Sequence, residues 1–453
     1  MKTENEYIAN IRLAIPVMLG QSANVLTGLV DNYMLARIGG SEGELALSAS
    51  ATANAIFILI LLIGTGISCG MTPFVAFSHA QCDQKEIDRI FRNGWVLNII
   101  IGILFAGLLY VSSPLLSHPA LGQVDEITTL AIPYLRIVGL SLIPVMIFQS
   151  YKQTIDGIGN TWAGMTATVI ANLINIAANY ALIYGHWGFE KMGVEGAAWG
   201  TFISRVALVI TMILLIRFHR DLRHYININI FKDISRKTIK KILGIGLPTG
   251  LQMLFEVGVF SAAALLAGRY GQTYMSAHQI AAQVTGLTYT FVSGMAVAAT
   301  IRVSHYLGLS DNRGIRRATR SAYIMVCSLM GLFGLCYVIF NRAIPSLFFD
   351  ESSSVVAITA PLFIYAAIFE VFDGIQVVSQ GALRGLQDVK IPTLITAAGY
   401  WAVAFPLAVI LGVWYDMKTE GIWIGLASGL IFCAIMLTLR LVTMIHRQEA
   451  KNK

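Results

Sequence analysis

Polar residues break the chain at short intervals, and between them run apolar stretches of about 20 residues, the length that crosses bilayer hydrocarbon. Twelve such runs lie near 11–36, 46–73, 93–113, 126–152, 162–185, 195–217, 243–268, 275–301, 319–341, 355–383, 391–414 and 421–443. Lipid offers no partner to a free backbone N–H or C=O, so each run is predicted to be a helix. The ten-residue alternation of a membrane barrel is missing. The pattern also occurs twice. Leu13–Arg37 aligns with Ile245–Arg269, with Pro16 on Pro248 and Gly39 on Gly271. Further on, Thr72 falls on Thr300, Asp83 on Asp311, Pro133 on Pro361 and Gly157 on Gly385. An ordered set of matches at a slowly shrinking offset marks a duplicated unit.

These features predict an all-α polytopic membrane protein, with twelve transmembrane helices as two six-helix bundles. The expected domains are residues 1–228 and 229–453, joined in the polar linker 218–241. Six crossings per half return the chain to its starting side. Both halves then share one orientation, and the pseudo-two-fold axis runs along the membrane normal. Within the linker, Asp233–Lys241 is expected as a short interfacial helix. Pro16 and Pro248 are read as first-turn residues that start their helices, and Pro406 as a kink in the eleventh. Gly64, Gly66, Gly70 and Gly294 suit either close helix packing or a sliding contact between moving helices.

Composition agrees. Of 453 residues, 56% are hydrophobic and 13% charged, against about 25% charged in soluble domains. Met1–Asn10 is polar and the first run is long enough to span, so it is read as retained rather than cleaved. The five cysteines are scattered, mostly in apolar runs, and imply neither disulfide nor metal set. The formal charge of +7 is placed asymmetrically. Of 32 Lys and Arg, 25 fall on the side of the termini, five opposite, and two (Arg136 and Arg205) within helices. That bias puts both termini in the cytoplasm. It makes membrane lipid, not nucleic acid, the partner of the basic surface. No Gly-x-x-x-x-Gly-Lys-Ser/Thr loop is present, so the chain carries no ATPase of its own. No His-Glu-x-x-His or clustered His suggests an enzyme.

Four acids interrupt the apolar runs: Asp31, Glu256, Glu370 and Asp373. Each costs about 2.5–3.5 kcal/mol at mid-bilayer on insertion scales, so intramembrane acids are functional by default. At about 1.5 Å rise per residue, Glu256 lies about 20 Å and Asp373 about 16 Å from the cytoplasmic end, and Asp31 about 28 Å. Such carboxylates can exchange protons or, with carbonyl help, hold sodium. The structural alternative is a buried ion pair, such as Asp31 with Arg205. Glu370 admits a second reading, as a hydrogen-bonding neighbour one turn from Asp373. Asn172, Asn175 and Asn179 lie in the fifth helix. Asn175 and Asn179 share a face and could complete an ion shell around Asp31 or bond between helices. His278 serves either as a proton relay or as packing. Tyr289, Phe291, Tyr365, Phe369 and Phe372 could stack on flat cations or fill the core.

At these acids the chain resembles the multidrug and toxic compound extrusion family, in its NorM-like branch. The resemblance is carried by Leu29-Val30-Asp31 with Met34-Leu35-Ala36, Phe255-Glu256-Val257, Ala277-His278-Gln279, Ile301-Arg302-Val303 with His305, and Asp373-Gly374-Ile375-Gln376-Val377-Val378 leading to Leu383-Arg384-Gly385. It covers nearly the whole chain. It implies two six-helix bundles and a secondary antiporter of the bacterial inner membrane. Such a protein exports cationic, amphipathic drugs in exchange for Na+ or H+, with no other cofactor and no ATPase subunit. It also implies cation ligands at Glu256 and Asp373, and an ion pocket at Asp31, Asn175 and Asn179. Glu370 is an added acid, and Phe369 stands where some relatives carry a tyrosine. Three rival functions are a lipid-linked oligosaccharide flippase of the same superfamily, a passive channel and an intramembrane enzyme. The flippase would need a basic cavity, where the residues here are acidic.

Overall fold

The structure, a computed structural model, describes residues 5–119, 124–219, 222, 225 and 234–451. Twelve helices among them are long and apolar enough to cross a membrane. They are α1 (Glu6–Ala36), α2 (Gly40–Ala80), α3 (Gln84–Ser117), α4 (Asp125–Gly157), α5 (Trp162–Tyr184) and α6 (Gly193–Phe218). The second half follows with α7 (Arg236–Gly268), α8 (Gln272–Gly308), α9 (Asn312–Ile339), α10 (Ser354–Gly385), α11 (Lys390–Trp414) and α12 (Lys418–Ala450).

The sequence repeat reappears as repeated backbone geometry. Gly39 and Gly271 precede α2 and α8 with φ of 111° and 102°, a region a Cβ disfavours. Cys82 and Ser310, 228 residues apart in number, both take φ of 56°. The next residues, Asp83 and Asp311, cap α3 and α9. Asp83 accepts from the Glu86 N–H at 3.1 Å, and Asp311 from the Gly314 N–H at 2.8 Å. Each carboxylate satisfies one of the N–H groups that a helix start leaves without a partner.

Helix starts depart from expectation in three places. Pro16 and Pro248 lie inside α1 and α7, not in first turns, because α1 begins at Glu6 and α7 at Arg236. The polar residues before each apolar run extend the helix beyond the hydrocarbon. For the same reason, Arg236–Lys241 is the start of α7 rather than a separate interfacial helix. The rest of that expected segment, 233–235, is non-helical at Ile234 and Ser235, and Asp233 falls with 220, 221, 223, 224 and 226–232 outside the described residues. Pro406 does more than kink α11. That helix runs as α-helix over Lys390–Ala397 and Phe405–Val409, with π-helical turns at Ala398–Ala404 and Ile410–Trp414. Proline lacks the N–H that would close the regular bond, and wider turns absorb the loss.

The chain forms two compact units. One holds Leu19–Val75 and the described part of Cys82–Gly250; the other holds the chain through Met18, Ala76–Gln81 and everything from Leu251 onward. The boundary expected at residues 228 and 229 lies outside the described residues. Both α1 and α7 change unit two residues after their internal proline. In the first unit, a Cβ on Gly66 would land on the Gly250 backbone, and one on Gly246 on that of Ile67. In the second, a Cβ on Gly294 would lie 2.8 Å from the Ala14 carbonyl oxygen. The glycines therefore allow backbone-to-backbone approach, the packing that holds membrane helices together. All five cysteines are free thiols.

Candidate functional site

In the first unit, α1 and α5 bring Asp31, Asn175 and Asn179 together. The Asn179 amide nitrogen donates to Asp31 Oδ1 at 2.7 Å and to Asn175 Oδ1 at 3.3 Å. Asn179 is fully buried and Asn175 nearly so, while Asp31 is half-buried. The Asn179 amide oxygen is buried with no hydrogen-bond partner. It faces Gly200 of α6, where a Cβ would overlap it. Asn172 is set apart and donates to Asn24 Oδ1 at 3.2 Å. Arg205 lies over the Phe57 ring at 5.2 Å, within electrostatic reach of Asp31. Among the described residues it makes no ion pair with Asp31 within 4.0 Å. The permanent salt bridge weighed as the structural alternative does not form.

In the second unit, Glu256 of α7 and Asp373 of α10 lie within electrostatic reach of each other. Asp373 is 3% exposed and Glu256 half-buried. Tyr289 of α8 and Tyr400 of α11 both feel the two carboxylates. Gln376, one turn after Asp373, donates to the Tyr400 hydroxyl at 2.7 Å, and its own amide oxygen is buried without a partner. Nothing in the sequence marks Tyr400, and Gln376 enters only as part of the Asp373–Val378 match; its i, i+3 spacing from Asp373 is the signal for a shared face.

Glu370 points elsewhere. Its Oε1 accepts from the Thr288 hydroxyl at 2.8 Å, and Thr288 lies 3.0 Å from the Tyr337 hydroxyl. The aromatic residues divide. Tyr289 stays beside the acids. Phe369 is 5% exposed and packs edge-on to Phe260 and Trp423, with centroids 5.8 and 6.0 Å away. Phe291 packs on Phe333 at 5.3 Å. The Tyr365 hydroxyl donates to Glu420 Oε2 at 3.2 Å. His278 is 1% exposed against Trp423, and its Nδ1 has no partner.

Oxygen-rich, partly buried acids at two separate points suit protons or a hard monovalent cation. No three His, Cys, Asp or Glu cluster as a metal site among the described residues.

Comparison with known proteins adds the lineage. The chain matches the MatE family over residues 16–181 and 248–410, one stretch in each half. It is 30% identical to the probable multidrug resistance protein NorM of Bradyrhizobium diazoefficiens, over 98% of this chain and 94% of that one. It is 32% identical to the protein of the same name in Rhodopseudomonas palustris, over 96% and 91%. The fold superposes on a MOP superfamily transporter from Pyrococcus furiosus with a TM-score of 0.89 at 22% identity, covering 98% of this chain and 97% of that one. An outward-facing multidrug resistance MATE transporter gives 0.87 at 22%, covering 99% and 97%. The chain belongs to the MatE family, the multidrug and toxic compound extrusion transporters.

Proposed function

We propose that this protein is a secondary active multidrug efflux antiporter of the bacterial inner membrane, with both termini in the cytoplasm. It exports cationic, amphipathic compounds in exchange for Na+ or H+. The observation that carries this reading is the pairing of Glu256 and Asp373 between two helices, without a basic ion-pair partner among the described residues. Two carboxylates that feel one another cannot both stay ionised in a low-dielectric site without a counter-charge. A drug cation, a sodium ion or a proton can each supply that charge, and competition among them is the coupling. Asp31 with Asn175 and Asn179 is the second ion site on this reading. Tyr289, beside the acids, offers an aromatic face to a cation. Relatives named for multidrug resistance support the export of drugs.

The test is efflux of a fluorescent cation, ethidium, from vesicles containing the purified protein. A sodium gradient and a pH gradient are imposed separately. At least one gradient should drive ethidium out. Glu256→Gln and Asp373→Asn should each express normally and abolish efflux. Wild-type efflux by both variants would remove the pair from the mechanism.

A further inference from the structure

Glu370 is 1% exposed in a seam between α8, α9 and α10. Its Oε2 is buried with no hydrogen-bond partner. The titratable groups that face it are Asp373 on its own helix, a like charge, and Tyr337 on α9, with Cys336 beside that tyrosine. Helix α8 contributes the Thr288 hydroxyl. Among the described residues, no Lys, Arg or His forms an ion pair with it. An ionised carboxylate here would be a buried charge without a counter-charge, which is strongly destabilising.

The surrounding hydroxyls accommodate a proton. Thr288 Oγ1 lies 2.8 Å from Glu370 Oε1, 2.8 Å from the Thr285 carbonyl oxygen and 3.0 Å from the Tyr337 hydroxyl. Tyr337 in turn lies 3.2 Å from the Val284 carbonyl oxygen. With Glu370 protonated on Oε1, that hydroxyl donates to Thr288, Thr288 donates to Thr285, and Tyr337 donates to Val284. With Glu370 ionised, Tyr337 donates to Thr288 and Thr288 to Oε1. Every hydroxyl hydrogen finds an acceptor in either arrangement, and no heavy atom has to move. In the protonated state the unpartnered Oε2 is only a carbonyl oxygen, which folded proteins tolerate.

The fold does not require this polarity. The repeat that sets Pro133 on Pro361 and Gly157 on Gly385 places Leu142 where Glu370 stands. The same offset places Leu109 at Tyr337. Leu109 and Leu142 are buried in one apolar cluster of the first unit. One half thus fills this seam with leucines, and the other with a tyrosine and an acid.

We propose that Glu370 is a proton-carrying site, separate from the Glu256–Asp373 pair and switched through the Thr288–Tyr337 hydroxyl network. It takes one proton from hydronium, forming an O–H bond at Oε1 and leaving water, and gives that proton back to a water molecule as hydronium. The assignment rests on the antiport reading for its role in transport, where it makes H+ one of the coupled ions. Binding of the proton stands independently of that reading.

The test is infrared difference spectroscopy of the full-length purified protein in light and heavy water at neutral pH, with no substrate added. The wild type should show a deuterium-sensitive C=O band of a protonated carboxyl. Glu370→Gln should lose that one band, while Glu256→Gln and Asp373→Asn keep it. Thr288→Val, which leaves the acid in place but removes its acceptor, should move the band to higher frequency. A Glu370→Gln spectrum that superimposes on the wild type, with the band unmoved in Thr288→Val, would overturn the assignment. Should Glu370→Gln not fold, the Thr288→Val shift alone decides. In vesicles, Glu370→Gln should lower pH-driven ethidium efflux at least tenfold. If wild-type vesicles export nothing, the antiport reading fails while the infrared result still judges the proton site.

Discussion

Gly200 lies on α6 and carries no chemistry, yet Gly200→Ala should cripple the Asp31 site. A Cβ at 200 would overlap the Asn179 amide oxygen and come within 3.1 Å of its Cγ and 3.2 Å of its backbone nitrogen. The backbone can yield a few tenths of an ångström, but the amide cannot stay. Moving it breaks the 2.7 Å bond to Asp31. A hydrogen bond to a charged group is worth about 1.5–3 kcal/mol, and overpacking typically costs about 1–3 kcal/mol more. Each 1.4 kcal/mol is tenfold in an equilibrium constant, so if Asp31 holds the coupling ion as proposed, affinity for that ion should fall roughly 10- to 150-fold through the hydrogen bond alone. The control is a double-mutant cycle with Asn179→Ala, which removes the colliding oxygen. Gly200→Ala should lower the melting temperature and ion affinity in the wild-type background and do little in Asn179→Ala. Contacting residues of this kind show coupling of about 0.5–3 kcal/mol. Equal effects in the two backgrounds, measured by thermal unfolding and ion titration of purified protein, would refute the steric argument.

Phe369→Ala should destabilise the second unit by about 3–5 kcal/mol, read in thermal unfolding, because it empties a buried site between Phe260 and Trp423. Phe369→Leu should recover most of that loss. Tyr365→Phe should leave ethidium efflux within about twofold, since the ring stays and only one bond to Glu420 is lost, worth about 1 kcal/mol.

Helix number, the repeat and the four acids were legible because each depends on local composition: a run long enough to span, and a charge inside it. The Asp31–Asn179 contact was legible too, since an i, i+4 amide pair has only one face to offer. Phe369 was not placed, because an aromatic beside an acid reads the same whether it faces substrate or core. Its burial depends on Trp423, 54 residues further along the chain. Thr288 and Tyr337 escaped notice for a similar reason. Nothing local distinguishes a hydroxyl that serves its own helix from one that serves Glu370, and only comparison with Leu109 in the other half marks Tyr337 as unusual. Pro16 and Pro248 misled because hydrophobicity reports where lipid begins, not where a helix does.

The assignment of α1 and α7 to both units constrains the order of synthesis. The unit built mainly from the amino-terminal half is unfinished until the ribosome has made Gly250. Until then Gly66 and Ile67 lack the neighbours that Gly250 and Gly246 bring to them. Splitting the gene in the linker should therefore yield fragments that are unstable apart and recover one another when produced in the same cell.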